Sequence, residues 1–562
     1  MQRYHAAMPT PRLLQRFFPF LSWPRPRAVE LQGELFAGLT IGLMVIPQGV
    51  AYAALAGMPL ITGIYASLLP ALIAVLWGSS SRLSVGPTAL TCLLVASSLT
   101  GMAAPGSAEW INLAMWLAML SGLLQIALGW MRFGWLVNVV SSPVLMAFTQ
   151  AAAILILLSQ VPDLLGYPSL RVLWASPQSM NIVGALFGIT TLALLIVAKR
   201  FVPRVPAVVV IVVLASVASS LLDYEGRGGH VVGALQSGLP ALMLPSALPW
   251  ETLSSLIVPV LVITLVSFLE TAASAKIDNQ NAGKSWNENQ DLIGQGMAKV
   301  ASAVCGSFPP SSSFSRSALN LYAGARTGWA TIFSVVVVLL VLLFGMPLLR
   351  PVPQSVLAAV VIAATYGLLK PVGFRTLWRL TRVEACIAFA TFAVTLVSAP
   401  RLYWGVIVGL TLSLLHFLYY RLHPRIVEVG LHADGSLRDR WLWQLPELAP
   451  ELLAVRMDAA LEFSSAGALE RYLANQLAQR PNTRHVALFA QSINRIDATG
   501  IECLIKLLGS LAAQDRQLHI VGMKRPVEQM LERAHGVIGH PALHLYRTDA
   551  LALAALRVGG AQ

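Results

Sequence analysis

Long apolar segments separated by short polar ones fill the first three quarters of the chain. A helix that crosses a membrane needs about 20 predominantly apolar residues. Two apolar stretches, 86–100 and 314–325, are too short or too polar to cross alone, and we predict that they are half-helices. With them the pattern predicts fourteen membrane elements, an even number that places both termini on one side. The twelve longer elements are centred on 36–56, 60–77, 110–130, 136–158, 180–199, 205–222, 252–273, 289–306, 328–349, 354–370, 383–398 and 402–420.

The composition also indicates an integral membrane protein. Hydrophobic residues make up 56% of the 562 residues and charged residues only 12%, whereas soluble proteins carry about 25% charged residues. The net charge of +13 is unevenly distributed, because residues from 430 onward carry 14 basic and 13 acidic side chains. The excess positive charge therefore belongs to the membrane part, where it indicates topology and not nucleic-acid binding.

Basic residues between the predicted elements indicate the orientation in the membrane. With the N-terminus in the cytoplasm, 19 basic residues fall on cytoplasmic segments, whereas Lys299 is ambiguous and Arg316 is embedded. The positive-inside rule therefore predicts that the N-terminus and the region after the last element are cytoplasmic. We expect the location to be the plasma (inner) membrane. The basic residues that fall outside are only Arg171, Arg227, Arg350 and Arg401.

The two half-helices begin with similar sequences. "GSSSRLSVGPTAL" (78–90) opens the third element and "PPSSSFSRSALN" (309–320) opens the tenth, and each has a serine triplet, a helix breaker and then Thr/Ser-Ala-Leu. The third element starts from the cytoplasmic side and the tenth from the outside. This pattern predicts an inverted repeat whose two broken helices meet in the middle of the membrane. The alternative is that both clusters are ordinary loops.

After residue 430 the composition changes to that of a soluble domain. "LLAVRMDAAL", "HVALFAQ" and "QLHIVGM" have the pattern of strands, and "AGALERYLANQLAQ" and "TGIECLIKLLGSLAAQ" have the pattern of helices. Alternating strands and helices predict a small α/β domain. We therefore predict an N-terminal segment 1–33, a transmembrane domain 34–421, a linker 422–435 and an α/β domain 436–562.

No sequence motif indicates an enzyme, a metal site or a cofactor. The four cysteines are far apart, with no CxxC motif and no neighbouring histidine, so they predict neither disulfides nor a zinc site. The chain contains no Walker A motif, no HExxH motif and no Ser/His/Asp constellation. The sequence therefore does not favour a catalytic function.

Arg316 lies in the first turn of the second half-helix and is a candidate ligand for an anion. Each helix N-terminus presents about +0.5 charge, so two converging half-helices and Arg316 would supply about +2. Hydroxyl groups of Ser315 and Thr88 could add hydrogen bonds to an oxyanion such as sulfate. The alternative is that Arg316 only holds two helices together.

Glu270 is the other embedded charge. In "VITLVSFLETAASAKID" it shares one helical face with Thr264, Ser267, Thr271 and Ser274, because their spacing is i, i+3, i+4 and i+7. A carboxyl group at this depth can bind and release a proton during transport. The alternatives are a structural ion pair with Arg316 or a sodium site.

Gln48 and Tyr52 lie one turn apart beside Pro47 in the first long element, "VIPQGVAYA". The Gln48 amide can donate a hydrogen bond to an oxyanion, and the Tyr52 ring can form a wall of the pocket. Either residue could instead serve helix packing.

Three segments together resemble one known family. "VIPQGVAYAALAGMPLITGIYASLLPALIAVLWGSSSRLSVGPTAL" resembles the signature region of the sulfate permease (SulP) family of anion transporters, and "DLIGQGMAKVASAVCGSFPPSSSFSRSALNLYAGARTGWA" resembles its second characteristic block. "INRIDATGIECLIKLL" is similar to the loop and helix of a STAS domain. The resemblance extends over almost the whole chain.

The resemblance implies a helical polytopic membrane protein, a seven-plus-seven inverted repeat with a core and a gate domain, followed by a cytosolic STAS domain. It also implies a homodimer and an elevator-like mechanism, with Glu270 as the proton-coupling residue. Two positions depart from the family pattern: Ser312 replaces a common glycine, and Thr88 replaces an aromatic residue of the animal channel-like members. The family's anion site maps onto Gln48, Tyr52, Thr88, Ser315 and Arg316.

The STAS resemblance also singles out Thr499. Its loop reads Asp497-Ala498-Thr499-Gly500, and Thr499 stands where related antagonist proteins carry a phosphorylated serine. Phosphorylation is one interpretation, and we favour the other, in which Thr499 is the N-cap of the following helix.

These observations together predict a secondary active transporter that imports an inorganic oxyanion, most of all sulfate, by proton symport. A bicarbonate or dicarboxylate transporter, with sodium as a possible coupling ion, is the alternative within this class. A membrane-anchored anion sensor that signals through the STAS domain is the alternative from a different class. The expected partners are a small anion, a proton or sodium ion, the lipid bilayer and a second copy of the chain.

Overall fold

The computed structural model describes residues 18–23, 28–167, 172, 180–201, 207–235, 238–281, 283, 285–534 and 536–556. Most of the predicted N-terminal segment 1–33 lies outside these residues. The chain divides into two compact units, 1–413 and 414–562. The first unit is almost entirely helical, and the second contains a six-stranded sheet with helices.

Each of the fourteen predicted elements coincides with a helix, or with a pair of adjoining helices, in the described part of the chain. Six of these helices are long and apolar enough to cross a membrane. The helices, in chain order, are α1 (Ala28–Leu55), α2 (Thr62–Tyr65), α3 (Leu69–Trp77), α4 (Ala89–Leu99), α5 (Ala108–Trp130), α6 (Ser142–Leu164), α7 (Ile182–Phe201), α8 (Ala207–Leu221), α9 (Trp250–Ser255), α10 (Ile257–Asn281), α11 (Glu288–Val304), α12 (Phe314–Tyr322), α13 (Trp329–Leu340), α14 (Met346–Leu349), α15 (Gln354–Tyr366), α16 (Val372–Leu380), α17 (Arg382–Val397) and α18 (Tyr403–Leu422).

Among the described α-helices of the first unit, α16 was not predicted. The sequence of α16 alternates apolar residues with Arg375 and Arg379 and contains no buried residue. A short amphipathic helix of this kind has no long apolar run, so a search for membrane spans does not find it. Its loop position between two predicted elements leaves their number unchanged.

Glycines allow several pairs of helices to pack with their backbones in direct contact. A Cβ atom on Gly122 of α5 would lie 2.7 Å from the carbonyl oxygen of Gly296 on α11, and a Cβ atom on Gly38 of α1 would lie 2.6 Å from that of Ala330 on α13. Lipid offers no hydrophobic driving force between helices, so membrane helices associate through close packing of small residues. These contacts fix α11 and α13, which flank the polar centre of the unit.

The second unit begins within α18 and contains a mixed sheet. Its strand order is β4-β3-β5-β6-β7-β8, with β5 to β8 parallel and β3 antiparallel to both of its neighbours. The strands are β3 (Ile426–Leu431), β4 (Leu437–Asp439), β5 (Leu452–Met457), β6 (His485–Phe489), β7 (Gln517–Val521) and β8 (Leu543–Tyr546). The helices are α19 (Ala466–Gln479), α20 (Ala498–Ala512), α21 (Arg525–Arg533) and α22 (Asp549–Ala555).

Two details of this unit differ from the sequence expectations. The structure places β3 inside the stretch predicted as a linker, 422–435, because its pairing with β5 was not visible in the sequence. The predicted N-cap role of Thr499 is wrong: Asp497 caps α20, with its Oδ1 accepting a hydrogen bond of 2.8 Å from the Gly500 amide. Thr499 lies in the first turn with an exposed side chain.

Three histidines lie side by side across β6, β7 and β8. His519 is buried, its Nε2 lies 3.0 Å from Nδ1 of His485, and its ring stacks on His544 and on Tyr546. The pKa of His519 is lowered from 6.5 to about 4, first because burial penalises the charged ring and then because His544 and His485 repel a positive charge. The folded sheet therefore stabilises the neutral form of His519.

We predict that this histidine makes the stability of the second unit dependent on pH. The folded pKa lies below the unfolded value, so the contribution is complete above pH 6.5 and is lost as the pH falls toward 4. Between about pH 7.5 and pH 5 the loss is about 2 kcal/mol. Hydrogen exchange of β7 in the full-length protein measures it, and His519→Gln should remove most of the dependence. Equal pH dependence in both proteins would contradict this assignment.

Candidate functional site

The two half-helices α4 and α12 begin at a short antiparallel ladder. Strand β1 (Val85–Gly86) pairs with β2 (Ser311–Ser312), with Val85 opposite Ser312 and Gly86 opposite Ser311. Each half-helix starts within three residues of this ladder and has a side-chain N-cap, Thr88 for α4 and Ser313 for α12. The N-termini of the two half-helices therefore meet, and their positive ends converge on one region.

The guanidinium of Arg316 lies at this convergence and is only 1% exposed. Its Nε donates to Oγ of Ser84 at 3.2 Å, and its Nη1 donates to the carbonyl oxygen of Pro87 at 2.9 Å and to Oε1 of Gln48 at 3.5 Å. All three acceptors are uncharged. In the described part of the chain, the buried Nη2 has no hydrogen-bond partner. Arg316 thus keeps a charge and a donor group available for an anion.

Glu270 connects α10 to the first turn of α4. Its Oε2 accepts hydrogen bonds from the hydroxyl groups of Thr88 at 3.2 Å and Thr91 at 3.3 Å. Thr88 is also the N-cap of α4, and its neighbour Pro87 accepts from Arg316. The carboxyl group and the guanidinium are therefore joined through one turn of backbone, without a direct hydrogen bond between them among the described contacts.

A second buried cation, Lys299, lies on the other side of this network. It is fully buried on α11, and its Nζ donates to Oγ of Ser267 at 2.5 Å. Gln125 donates to the same oxygen at 3.1 Å. Ser267 is one turn before Glu270 on α10, so it links Lys299 to the helix that carries Glu270. The Glu270 carboxyl group interacts electrostatically with both Lys299 and Arg316. The described network thus contains two buried cations, Arg316 and Lys299, and the partly buried carboxyl group of Glu270.

The sequence interpretation did not assign a role to Lys299. It lies in "GQGMAKVASAV", where small residues on both sides make the helix suitable for close packing, and it was considered only as a topology marker. A charged residue inside a membrane element is a candidate functional residue by default, since its burial is costly. That rule alone would have singled out Lys299.

The loop before the first half-helix is held by carboxylates and amides of neighbouring helices. Asp291 accepts hydrogen bonds from the amides of Ser79 and Ser80, from the Ser80 hydroxyl and from the Trp286 indole, at 2.5 to 3.0 Å. Arg82 forms an ion pair of 2.6 Å with Asp278. These bonds fix the backbone that presents Ser84 and Pro87 to Arg316.

The structure brings together four of the predicted site residues, Gln48, Thr88, Glu270 and Arg316. Tyr52 is one turn from Gln48 on α1 and is buried in the hydrophobic core. Ser315 is exposed, and its hydroxyl lies 3.3 Å from that of Ser313. The observed contacts therefore connect Ser315 to the cap of α12 and not to the guanidinium.

Comparison with family models matches both parts of the chain. The model of the sulfate permease family matches residues 31–391, and the model of the STAS domain matches residues 446–538. The chain is 29% identical over 537 residues to a probable sulfate transporter of Mycobacterium tuberculosis, covering 94% of this chain and 95% of that protein. It is also 29% identical over 554 residues to the chloroplastic sulfate transporter 4.1 of Arabidopsis thaliana, covering 93% and 80%.

Solved structures have the same fold. The murine Slc26a9 anion transporter in its inward-facing state superposes with a TM-score of 0.86 at 19% sequence identity, covering 99% of this chain and 96% of that one. The transmembrane domain of the cyanobacterium bicarbonate transporter BicA superposes with a TM-score of 0.58 at 23% identity, covering 69% and 98%. The prediction of a helical polytopic membrane protein with a C-terminal STAS domain is thus confirmed.

We predict that Gly86→Ala weakens anion binding. A Cβ atom at this position would lie 3.4 Å from Nη2 of Arg316 and 3.2 Å from Oγ of Ser67, so it would crowd the donor that has no partner. Overpacking of this kind costs about 1–3 kcal/mol, or roughly a tenfold loss of affinity. Titration of the purified protein with inorganic sulfate as the probe oxyanion measures the effect.

The matched control is Gly509→Ala on α20, where an added Cβ atom meets nothing within 4 Å. This variant should bind the probe as the unaltered protein does. Unchanged affinity in Gly86→Ala would show that the anion does not approach Nη2 of Arg316.

Proposed function

Since the chain belongs to the sulfate permease family, we propose that it imports sulfate together with protons as a secondary active transporter. Family membership and its sulfate-transporter relatives identify an anion transporter. Sulfate, the proton and the direction of transport are our proposal. So are the elevator-like movement, the homodimer, the seven-plus-seven repeat, the cytoplasmic position of the STAS domain and the domain boundaries 34–421 and 436–562, the second extended to include β3.

The buried and incompletely paired guanidinium of Arg316 is the single observation that carries this proposal. A cation at the centre of a bilayer costs at least about 2.5–3.5 kcal/mol. The described hydrogen-bond acceptors of Arg316 are uncharged, and the Glu270 carboxyl group acts on the guanidinium through space, without a described hydrogen bond. A bound anion would offset the charge directly, and it would also use the free Nη2 donor. We assign Gln48, Thr88 and Arg316 to this anion site, with Tyr52 and Ser315 at its margin.

The charges favour a dianion. Arg316 and two half-helix N-termini supply about +2, which a doubly charged sulfate ion balances. The guanidinium and the hydroxyl groups around it donate hydrogen bonds, and sulfate has only acceptor oxygens. Bicarbonate carries one charge and would leave the site positive. Relatives described as sulfate transporters also support sulfate as the substrate.

Proton coupling follows when the charges of Glu270 and Lys299 are added to the net charge of the anion site. The two side chains together are neutral when they share one titratable proton, and they carry a charge of −1 when that proton is lost. With sulfate bound and one proton on the pair, the net charge of the site is therefore zero. With sulfate released, the site is near +2, and loss of that proton from the pair reduces the charge to about +1. Uptake of one proton with the anion therefore keeps the net charge low in both states.

We predict that Arg316→Ala abolishes sulfate uptake while the protein still folds. Loss of a buried charged donor should weaken binding by at least about 30-fold, or 2 kcal/mol. Arg316→Lys should also be impaired, because an ammonium lacks the planar pair of donors that fits an oxyanion. Labelled sulfate uptake into proteoliposomes that contain only this protein measures both variants.

Arg326→Ala is the matched control, since the Arg326 side chain is exposed and its described contact is a surface ion pair with Glu30, while the backbone amide that donates to Glu34 is unchanged by the substitution. It should transport as the unaltered protein does. If Arg316→Ala instead loses the folded protein, Arg316 has the structural role. If the unaltered protein binds sulfate but never accumulates it, the protein is a sensor and not a transporter.

We predict that Glu270→Gln exchanges sulfate but no longer concentrates it. Without the carboxylate the pair has no negative state, so release of the proton no longer accompanies release of the anion. An inward proton gradient should drive accumulation in the unaltered protein, and a protonophore should collapse it. Lys299→Met should keep the coupling, because Glu270 alone can alternate between neutral and charged forms.

The control variant is Glu251→Gln, a substitution of an exposed carboxylate at the start of α9. Accumulation in Glu270→Gln with the full pH dependence would exclude Glu270 as the proton carrier. A requirement for sodium at constant pH would assign Thr264, Ser267, Glu270 and Thr271 to a cation site.

A further inference from the structure

Three consecutive apolar residues are exposed on the second unit, in the turn that follows β4. Trp441 is 70% exposed, Leu442 is 72% exposed and Trp443 is 49% exposed. We refer to residues 441–443 as the Trp turn. A run of three exposed apolar residues is unfavourable in water and marks an interaction surface.

The Trp turn is tied closely to the end of the membrane helix α18. Only two residues lie between Leu422, the last residue of α18, and Arg425, a distance of at most about 11 Å in extended chain. Nη2 of Arg425 lies 2.6 Å from Oδ2 of Asp439. Oδ1 of the same carboxylate accepts hydrogen bonds of 3.0 Å from the amides of Trp441 and Leu442. One carboxylate therefore joins the Trp turn to the segment that directly follows α18.

The last turns of α18 have the composition of a membrane–water interface. Tyr419 and Tyr420 are exposed there, together with the apolar residues Leu415 and Leu418. Tyrosine and tryptophan are enriched at the headgroup level, because each combines an apolar ring with a polar group. The two tryptophans of the Trp turn, which the Asp439 contacts join to the segment after α18, have the same chemistry.

The arginines around the Trp turn are already paired. Arg440 lies 2.8 Å from Glu428, Arg438 pairs with Asp434, and Arg425 pairs with Asp439. A basic surface would attract anionic headgroups, whereas these pairs leave little free positive charge. The surface is therefore suited to apolar insertion and not to electrostatic attachment.

We propose that the Trp turn inserts into the headgroup layer of the bilayer that α18 crosses. The indole rings and the Leu442 side chain leave water, and the carboxylate of Asp439 holds the backbone of the turn in place. The occupant of this surface is lipid, and neutral headgroups are sufficient. The second unit gains an attachment to the membrane in addition to its covalent connection.

Spin labelling of the full-length protein tests this proposal. Leu442→Cys is labelled in a Cys386→Ser background, because Cys386 is the exposed cysteine and the other three are buried. The protein is placed in phosphatidylcholine nanodiscs, and collision rates with oxygen and with a water-soluble nickel chelate are compared. We expect an oxygen-to-nickel ratio at least about fivefold higher at position 442 than at the control Gln514→Cys. Gln514 is exposed in the turn between α20 and β7, and β7 is separated from β4 by three strands of the sheet.

A second measurement covers the case in which the labelled protein does not fold. Trp441→Phe with Trp443→Phe keeps apolar rings at both positions, and it should reduce the fraction of tryptophan emission that brominated phosphatidylcholine quenches. Equal ratios at positions 442 and 514 would overturn the proposal, as would quenching that the double variant leaves unchanged. Spin–spin broadening at position 442 would show that the Trp turn contacts a second copy of the chain. An oxygen-to-nickel ratio at position 442 that rises only with anionic lipid would show electrostatic attachment. Either result would also overturn the proposal.

Discussion

A buried arginine charge is the constraint on which the rest of the transport unit depends. Arg316 is almost completely buried, yet its described hydrogen-bond acceptors are a hydroxyl, an amide and a backbone carbonyl. Such a charge is tolerable in an apolar interior only if its surroundings are rigid and polar, or if an anion joins it. The interrupted helices supply those surroundings, because the breaks place backbone polar groups such as the Pro87 carbonyl beside the guanidinium of Arg316.

The remaining polar contacts of this unit hold that place in position. Asp291 fixes the loop before the first half-helix, and the β1–β2 ladder fixes the two interruptions against each other. Glu270 and Lys299 extend the polar network along α10 and α11, away from the guanidinium. A site of this kind is preorganised, so that binding energy is not consumed in ordering its donors.

The sequence was sufficient to predict this centre, because the residues that mark it lie in two short, continuous stretches. The serine triplets and helix breakers located both half-helices, and Arg316 stood out as a charge in an apolar context. Ser315 was placed beside the anion from its proximity in sequence, but one residue on a helix is a rotation of about 100°, which turns its hydroxyl toward Ser313. The pairing of β3 and the contact of Lys299 with Ser267 join residues distant in sequence, so no local pattern could reveal them.

The central claim is that an anion at Arg316 and a proton at the Glu270–Lys299 pair bind together. Linkage requires that each ligand increase the affinity for the other. The most direct measurement adds sulfate to the purified protein in weakly buffered solution and follows a pH indicator. The account predicts uptake of about one proton for each bound sulfate, and none in Glu270→Gln. Sulfate binding without proton uptake, or undiminished uptake in Glu270→Gln, would contradict it.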